Sequence, residues 1–169
     1  MTTFRHLQRA VGEWSERQFG EQSAVNPLLG VGEEYGELVD QLDATDRVTA
    51  AEHDCVGDML VFMADFCHRR GHEYQAAFEA DGTDEFPFED PLDGVAAAIG
   101  ALDRSVLKRR QGIRLDDDRV GAAAERRALA AFLDHLGDFA NRRGYSLETC
   151  IDVAWHEEVR HREWDGSSA

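Results

Sequence analysis

Two groups of acids stand at spacings that suit metal chemistry. Glu33, Glu34 and Glu37 follow Gly30-Val31-Gly32, and Asp54, Asp58 and Asp65 follow further along, with Val61 between the last two. At about 100° per residue, Glu34 falls roughly 70° from the centre of a face made by Leu28, Val31, Tyr35, Leu38 and Leu42. Glu37 lies one turn along, close to Glu34. The three aspartates share one stripe of a helix whose other directions are mostly apolar. A near-buried row of acids must be paired, protonated or metal-bound. If the two helices form an antiparallel hairpin, Glu34 and Glu37 face Asp54 and Asp58. Four converging carboxylates repel, and a hard divalent cation with oxygen ligands resolves that conflict. Mg2+ fits, and Mn2+ can replace it. The alternative is that these acids face solvent or pair with arginines.

Soft-ligand and nucleophilic chemistry fit poorly. Cys55, Cys67 and Cys150 make no close C-x-x-C pair, and His53, His68 and His72 lack H-E-x-x-H spacing, which argues against zinc. Nothing in the sequence places Cys150 near a base, so His135, Asp138 and Cys150 are not read as a triad. Cations to oppose a metal-bound anion are more visible. Lys108 is the sole lysine, in a run with Arg109, Arg110 and Arg114, and Arg160 and Arg162 form a second cluster. Each is a candidate phosphate clamp and equally a solvated helix end. Trp14, Tyr35, Phe62 and Phe66 are candidates for stacking on a base, though helical spacing suits them to the core as well. Asn141 is a candidate hydrogen-bonding partner for a base or sugar, and a helix C-terminus explains it too.

The chain has 169 residues, enough for one domain with a real core. Asp+Glu number 34 against 18 Lys+Arg, a formal net charge of -16. Such a surface repels duplex nucleic acid and anionic membranes. Abundant acid with almost no lysine suggests a halophilic cytoplasm, and a compositional bias of the genome is the alternative. Three cysteines make no disulfide scaffold, so a reduced, cytoplasmic location is expected. No apolar run is long enough for a membrane span, and Met1 to Ala10 lacks the apolar stretch of a signal peptide.

The elements that must position these residues read as helices almost throughout. A first helix carries Phe4, Leu7, Val11 and Trp14 and closes at Gly20. Asn26-Pro27 reads as an N-cap and first position of a second, fading over Asp43 to Asp46. A third runs from about Thr49 to Arg70 with Gly71 as its cap. A fourth spans about Leu92 to Gly112, with Val95, Ile99, Leu102, Val106 and Leu107 as apolar positions. Arg114 to Arg119 reads as a turn. A fifth spans about Val120 to Arg143, and a sixth Leu147 to Trp164, capped by Ser146. The predicted architecture is an all-α bundle of about six helices. Residues 1–79 hold the carboxylate hairpin, 80–91 an acidic, proline-containing linker, 92–164 further helices of the same domain, and 165–169 a frayed tail.

Asp65 to Tyr74 (DFCHRRGHEY) resembles Asp138 to Leu147 (DFANRRGYSL). A duplicated helical unit explains this, and so do two independent Arg-Arg-Gly helix stops.

The segment Glu33 to Leu38 (EEYGEL) followed by Asp54 to Leu60 (DCVGDML) resembles the MazG-like, all-α nucleoside triphosphate pyrophosphohydrolase superfamily. That family carries E-x-x-E on one helix and E-x-x-D on the next. Glu34 and Glu37 match the first pair and Asp58 the final Asp. Where the second Glu is expected stands Cys55, and Asp54 is the nearest substitute. Trp14 with Phe19-Gly20, Leu107 to Arg114 and Trp155 to Trp164 are also similar to segments of members. The resemblance implies hydrolysis of a nucleoside triphosphate to monophosphate and pyrophosphate. Glu34, Glu37, Asp54 and Asp58 would hold Mg2+ or Mn2+, and one of them or Glu33 would serve as base. Lys108, Arg114, Arg162, Trp14 and Asn141 are the candidate substrate contacts. The resemblance further implies a homodimer or homotetramer. Cys55 keeps open a non-catalytic nucleotide- or metal-binding relative.

Overall fold

The chain is punctuated by caps. Thr3, Thr49, Asp90 and Ser146 each accept a hydrogen bond from a backbone N–H in the first turn that follows, satisfying a donor the helix cannot. The computed structural model describes residues 3–82 and 86–162. Its α-helices are α1 (Phe4–Phe19), α2 (Val25–Ala44), α3 (Ala50–Arg70), α4 (Tyr74–Glu79), α5 (Pro91–Gln111), α6 (Ala122–Arg143) and α7 (Leu147–Ile151). No strand occurs among the described residues. None of the helices is long and apolar enough to cross a membrane.

The all-α reading holds, with a short seventh helix, α4, after the break at Gly71. Three local expectations change. Helix α2 begins at Val25 behind Ala24, so Asn26 is not its cap. Pro27 sits in the first turn, where a missing N–H leaves no bond unmade. Leu107 is half exposed rather than part of the core. The last helix does not continue as α: beyond Ile151 it widens into a π-helical segment, Asp152–Glu158, and closes in a 3-10 turn, Val159–His161. The expected helix end at Trp164 and the tail at 165–169 lie outside the described residues.

Helices α2 and α3 form one antiparallel hairpin, and α5 and α6 another. Helix α3 is buried on most sides, with Val56, Met59, Leu60, Met63 and Phe66 fully enclosed, and α6 is its match with Leu129, Phe132 and Leu136. Each such side chain contributes about 1.5–3 kcal/mol of burial. Helix α1 lies against α3 and α4.

The two hairpins correspond in detail. Pro27, Leu28, Gly30, Val31, Gly36 and Leu38 of α2 recur as Pro91, Leu92, Gly94, Val95, Gly100 and Leu102 of α5. Gly30 receives the ring of Phe62, and Gly94 receives the ring of His135; a side chain at either would strike that ring. Glu52 and Arg70 bracket α3 with the spacing at which Glu125 and Arg143 bracket α6. The brackets engage reciprocally. Buried Glu52 accepts from Arg143 Nε (2.9 Å) and Nη2 (2.6 Å) and from the Tyr145 hydroxyl (2.9 Å). Buried Glu125 accepts from Arg70 Nη2 (2.9 Å) and forms a 2.7 Å hydrogen bond with His72 Nε2. Gly71 and Gly144 end α3 and α6 in the same left-handed conformation, φ 70° and 88°. Helix α4 then crosses onto α6, and α7 onto α3. The matched segments noted in the sequence are the ends of two equivalent hairpins, each buttressed by the short helix of the other.

The acidic linker is tied down at both described ends. The Gly82 N–H donates to Asp134, and the Phe86 carbonyl lies 2.8 Å from His135 Nε2.

Candidate metal centre

The α2–α3 hairpin brings together the residues that could hold a cation. One ligand atom each from Glu34, Glu37 and Cys55 lie within 4.8 Å of one another. Glu37 is exposed, Glu34 half-buried and Cys55 only 5 % exposed. The cluster therefore runs from the solvent edge of the seam to its floor. Asp58 and Asp54 stand one turn apart beside it, both half-buried. One Asp58 oxygen, Oδ1, is buried with no hydrogen-bond partner among the described residues.

The acids raise one another's pKa. Burial, then the charges of Asp58 and Glu37, push Glu34 from 4.5 to about 8. Burial and the neighbouring Asp54 charge push Asp58 from 3.8 to about 7, against a lowering by Arg162. Asp54 is raised by burial and by Glu158. Burial and the charges of Glu34 and Glu37 hold the Cys55 thiol up at about 12. Such a set is costly to ionise without a cation.

The second hairpin shows that the fold does not require this arrangement. Counted from the matched prolines and the matched buried glutamates, the counterparts of Glu34, Glu37, Asp54, Cys55 and Asp58 are Ala98, Ala101, Arg127, Ala128 and Ala131. Ala98, Ala128 and Ala131 are buried. The same helix pairing thus closes without a carboxylate or thiol at these positions. Glu34, Asp54 and Asp58, which burial and like charges make costly to ionise in one half, have no carboxylate counterpart in the other.

The expected substrate contacts divide. Arg162 reaches the acids electrostatically and is ion-paired with Glu158 at the end of the π-helical segment. Trp14 lies beneath the same segment, its Nε1 donating to the Arg162 carbonyl (3.4 Å) and its ring edge-on to Trp155. Lys108 and Arg114 are not brought to the site. Lys108 is in the last turn of α5 beside Gln111, next to Arg109, which lies 3.8 Å from Glu125. That is the Arg70 end of α3, about 18 Å of helix from Asp58. Arg114 is in the following loop, exposed, at φ 54°. Asn141 is exposed at the end of α6, in a shallow groove with Phe78 and Asp138. Glu33 is exposed and near enough to raise Glu34. Of the acidic stripe, Asp65 leaves the group: it accepts from Arg69 Nε (2.9 Å) and from the Ser15 hydroxyl (3.1 Å).

Two neighbours of the site take their places only from the tertiary structure. Glu158 depends on a π-helical register that periodicity does not show. Cys55 was visible as a departure from E-x-x-D, but its place on the floor between the glutamates follows from the helix crossing. No family model, curated protein or solved structure matches the chain.

Proposed function

We propose that the chain is a metal-dependent nucleoside triphosphate pyrophosphohydrolase of the MazG-like kind, releasing monophosphate and pyrophosphate. The observation that carries this reading is the α2–α3 acidic cluster set against its alanine-lined counterpart. Acids kept where the equivalent packing needs none are acids kept for a ligand, and Asp58 Oδ1 is buried with no hydrogen-bond partner among the described residues, an acceptor open to a cation. The donor set suits a divalent cation.

Glu34, Glu37, Asp54 and Asp58 would hold the cation, Mg2+ or Mn2+. When bound, it would screen the phosphate charge and polarise the attacking water. One of these carboxylates, or the exposed Glu33 beside them, accepts the water's proton. Arg162 would leave Glu158 to contact a phosphate, which removes the positive charge from one carboxylate and delivers it to the anion. Trp14 stiffens the segment that carries Arg162. Lys108, Arg114 and Asn141 lie away from the cluster and have no part in this scheme. Leu107, Ile113 and Leu115 are large apolar side chains left exposed near the end of α5, which is in keeping with the homo-oligomer expectation.

Cys55 favours a second reading, a relative that binds nucleotide or metal without turnover. Product analysis with a panel of nucleoside triphosphates in Mg2+ or Mn2+ separates the two. Monophosphate plus pyrophosphate, lost in Glu37→Gln, is the expected result. Diphosphate plus orthophosphate refutes the proposed bond cleavage, and folded protein that binds metal without product supports the second reading.

A further inference from the structure

Cys55 stands apart from the other two cysteines. Cys67 and Cys150 are buried in the core. Cys55 is also buried, though less completely, and its sulfur lies in the group formed with Glu34 and Glu37. Beside it, a carboxylate oxygen of Asp58 is buried with no hydrogen-bond partner among the described residues. Packing does not account for a thiol here, because Ala128 fills the equivalent place in the second hairpin, 1 % exposed. Nor is it a spare redox group, since no second cysteine lies beside it in sequence or in the cluster.

We propose that Cys55 is a metal ligand, which with Glu34 and Glu37 gives the site an oxygen–oxygen–sulfur corner selective for a borderline divalent transition-metal ion over Mg2+. This deepens the proposed function and rests on the same cluster being a cation site. Thiolate is a soft donor and binds such ions far better than it binds Mg2+, which prefers oxygen and water. On binding, the S–H bond breaks, a sulfur–metal bond forms, and the proton leaves to solvent. The neighbouring glutamates oppose a thiolate alone but accommodate it once a dication is present. Asp54 and Asp58 remain as oxygen ligands or as acceptors for metal-bound water.

Cd2+ serves as the probe, titrated into the full-length, metal-stripped chain while ultraviolet sulfur-to-metal charge-transfer absorption is followed. Thermal shift with Mg2+ alone reads the carboxylates independently. The band is expected in wild type and in Cys67→Ala and Cys150→Ala, and lost in Cys55→Ser and Cys55→Ala. Preference for Co2+ over Mg2+, measured by competition, is expected to fall about tenfold or more in Cys55→Ser. Using both substitutions guards against one of them failing to fold. Mg2+ stabilisation without a Cd2+ band in wild type, or a band that survives both substitutions, overturns the Cys55 assignment and leaves the carboxylate reading standing. No response to any cation overturns both.

Discussion

Raising the pH of the metal-free chain should unfasten the α2–α3 seam, and a divalent cation should prevent it. In the folded chain Glu34 holds its proton up to about pH 8 and Asp58 up to about pH 7. In the unfolded chain both release theirs near pH 4. Between these limits the folded state carries protons that the unfolded state has lost, so stability falls as pH rises. Each displaced pKa, taken alone, corresponds to about 4–5 kcal/mol. The two groups share one repulsion, and solvent reaches the outer edge of the seam, so the combined loss is about 2–4 kcal/mol. For a chain of this size that is a fall of roughly 5–15 °C in Tm from pH 5 to pH 8. The assay is thermal unfolding in chelator across that range, repeated in excess Mg2+ and in Mn2+. The cation should flatten the slope by holding the carboxylates ionised in the folded state. Glu34→Gln should flatten it without a cation. A chelated protein whose Tm is constant or rises from pH 5 to pH 8 refutes the crowded-carboxylate argument.

Other substitutions test the frame and the clamp. Arg143→Ala leaves buried Glu52 with Tyr145 as its remaining side-chain partner and should cost about 3–5 kcal/mol in urea unfolding. As the pH falls from about 4 toward 2 the Glu125 clamp should lose its contribution: burial opposes its charge, but hydrogen bonds from His72 and Arg70 outweigh it and hold the pKa down at about 2. Stability from that group is complete above the unfolded value and is lost as pH falls toward 2, so an acid titration of Glu125→Gln should lack that descent. Arg162→Ala should raise KM for a nucleoside triphosphate about tenfold, whereas Lys108→Ala should leave kcat and KM unchanged; equal losses would return Lys108 to the site. Gly144→Ala should lower stability by about 1 kcal/mol through its left-handed φ of 88°.

Local chemistry made much of the fold legible before any tertiary information. Thr49 and Ser146 announce helix starts because their side chains cap N–H groups within a few residues, and Gly71 and Gly144 announce ends because other residues strain there. Glu34 and Glu37 were legible as neighbours because a helix fixes them one turn apart. The second hairpin was legible too, in Pro-Leu-x-Gly-Val at 27–31 and again at 91–95, a repeat the helix-end comparison alone did not exploit. Periodicity gives an angle around one axis and nothing about a second axis crossing it. Only the crossing of α2 over α3 decided that Cys55 joins Glu34 and Glu37 and that Asp65 turns away to Arg69. Only the packing of α7 and the π-helical segment across α3 set Arg162, more than a hundred residues distant in the chain, beside Asp58. The same packing put Lys108 at the far end of the helix, because a charge run signals solvent exposure and carries no address.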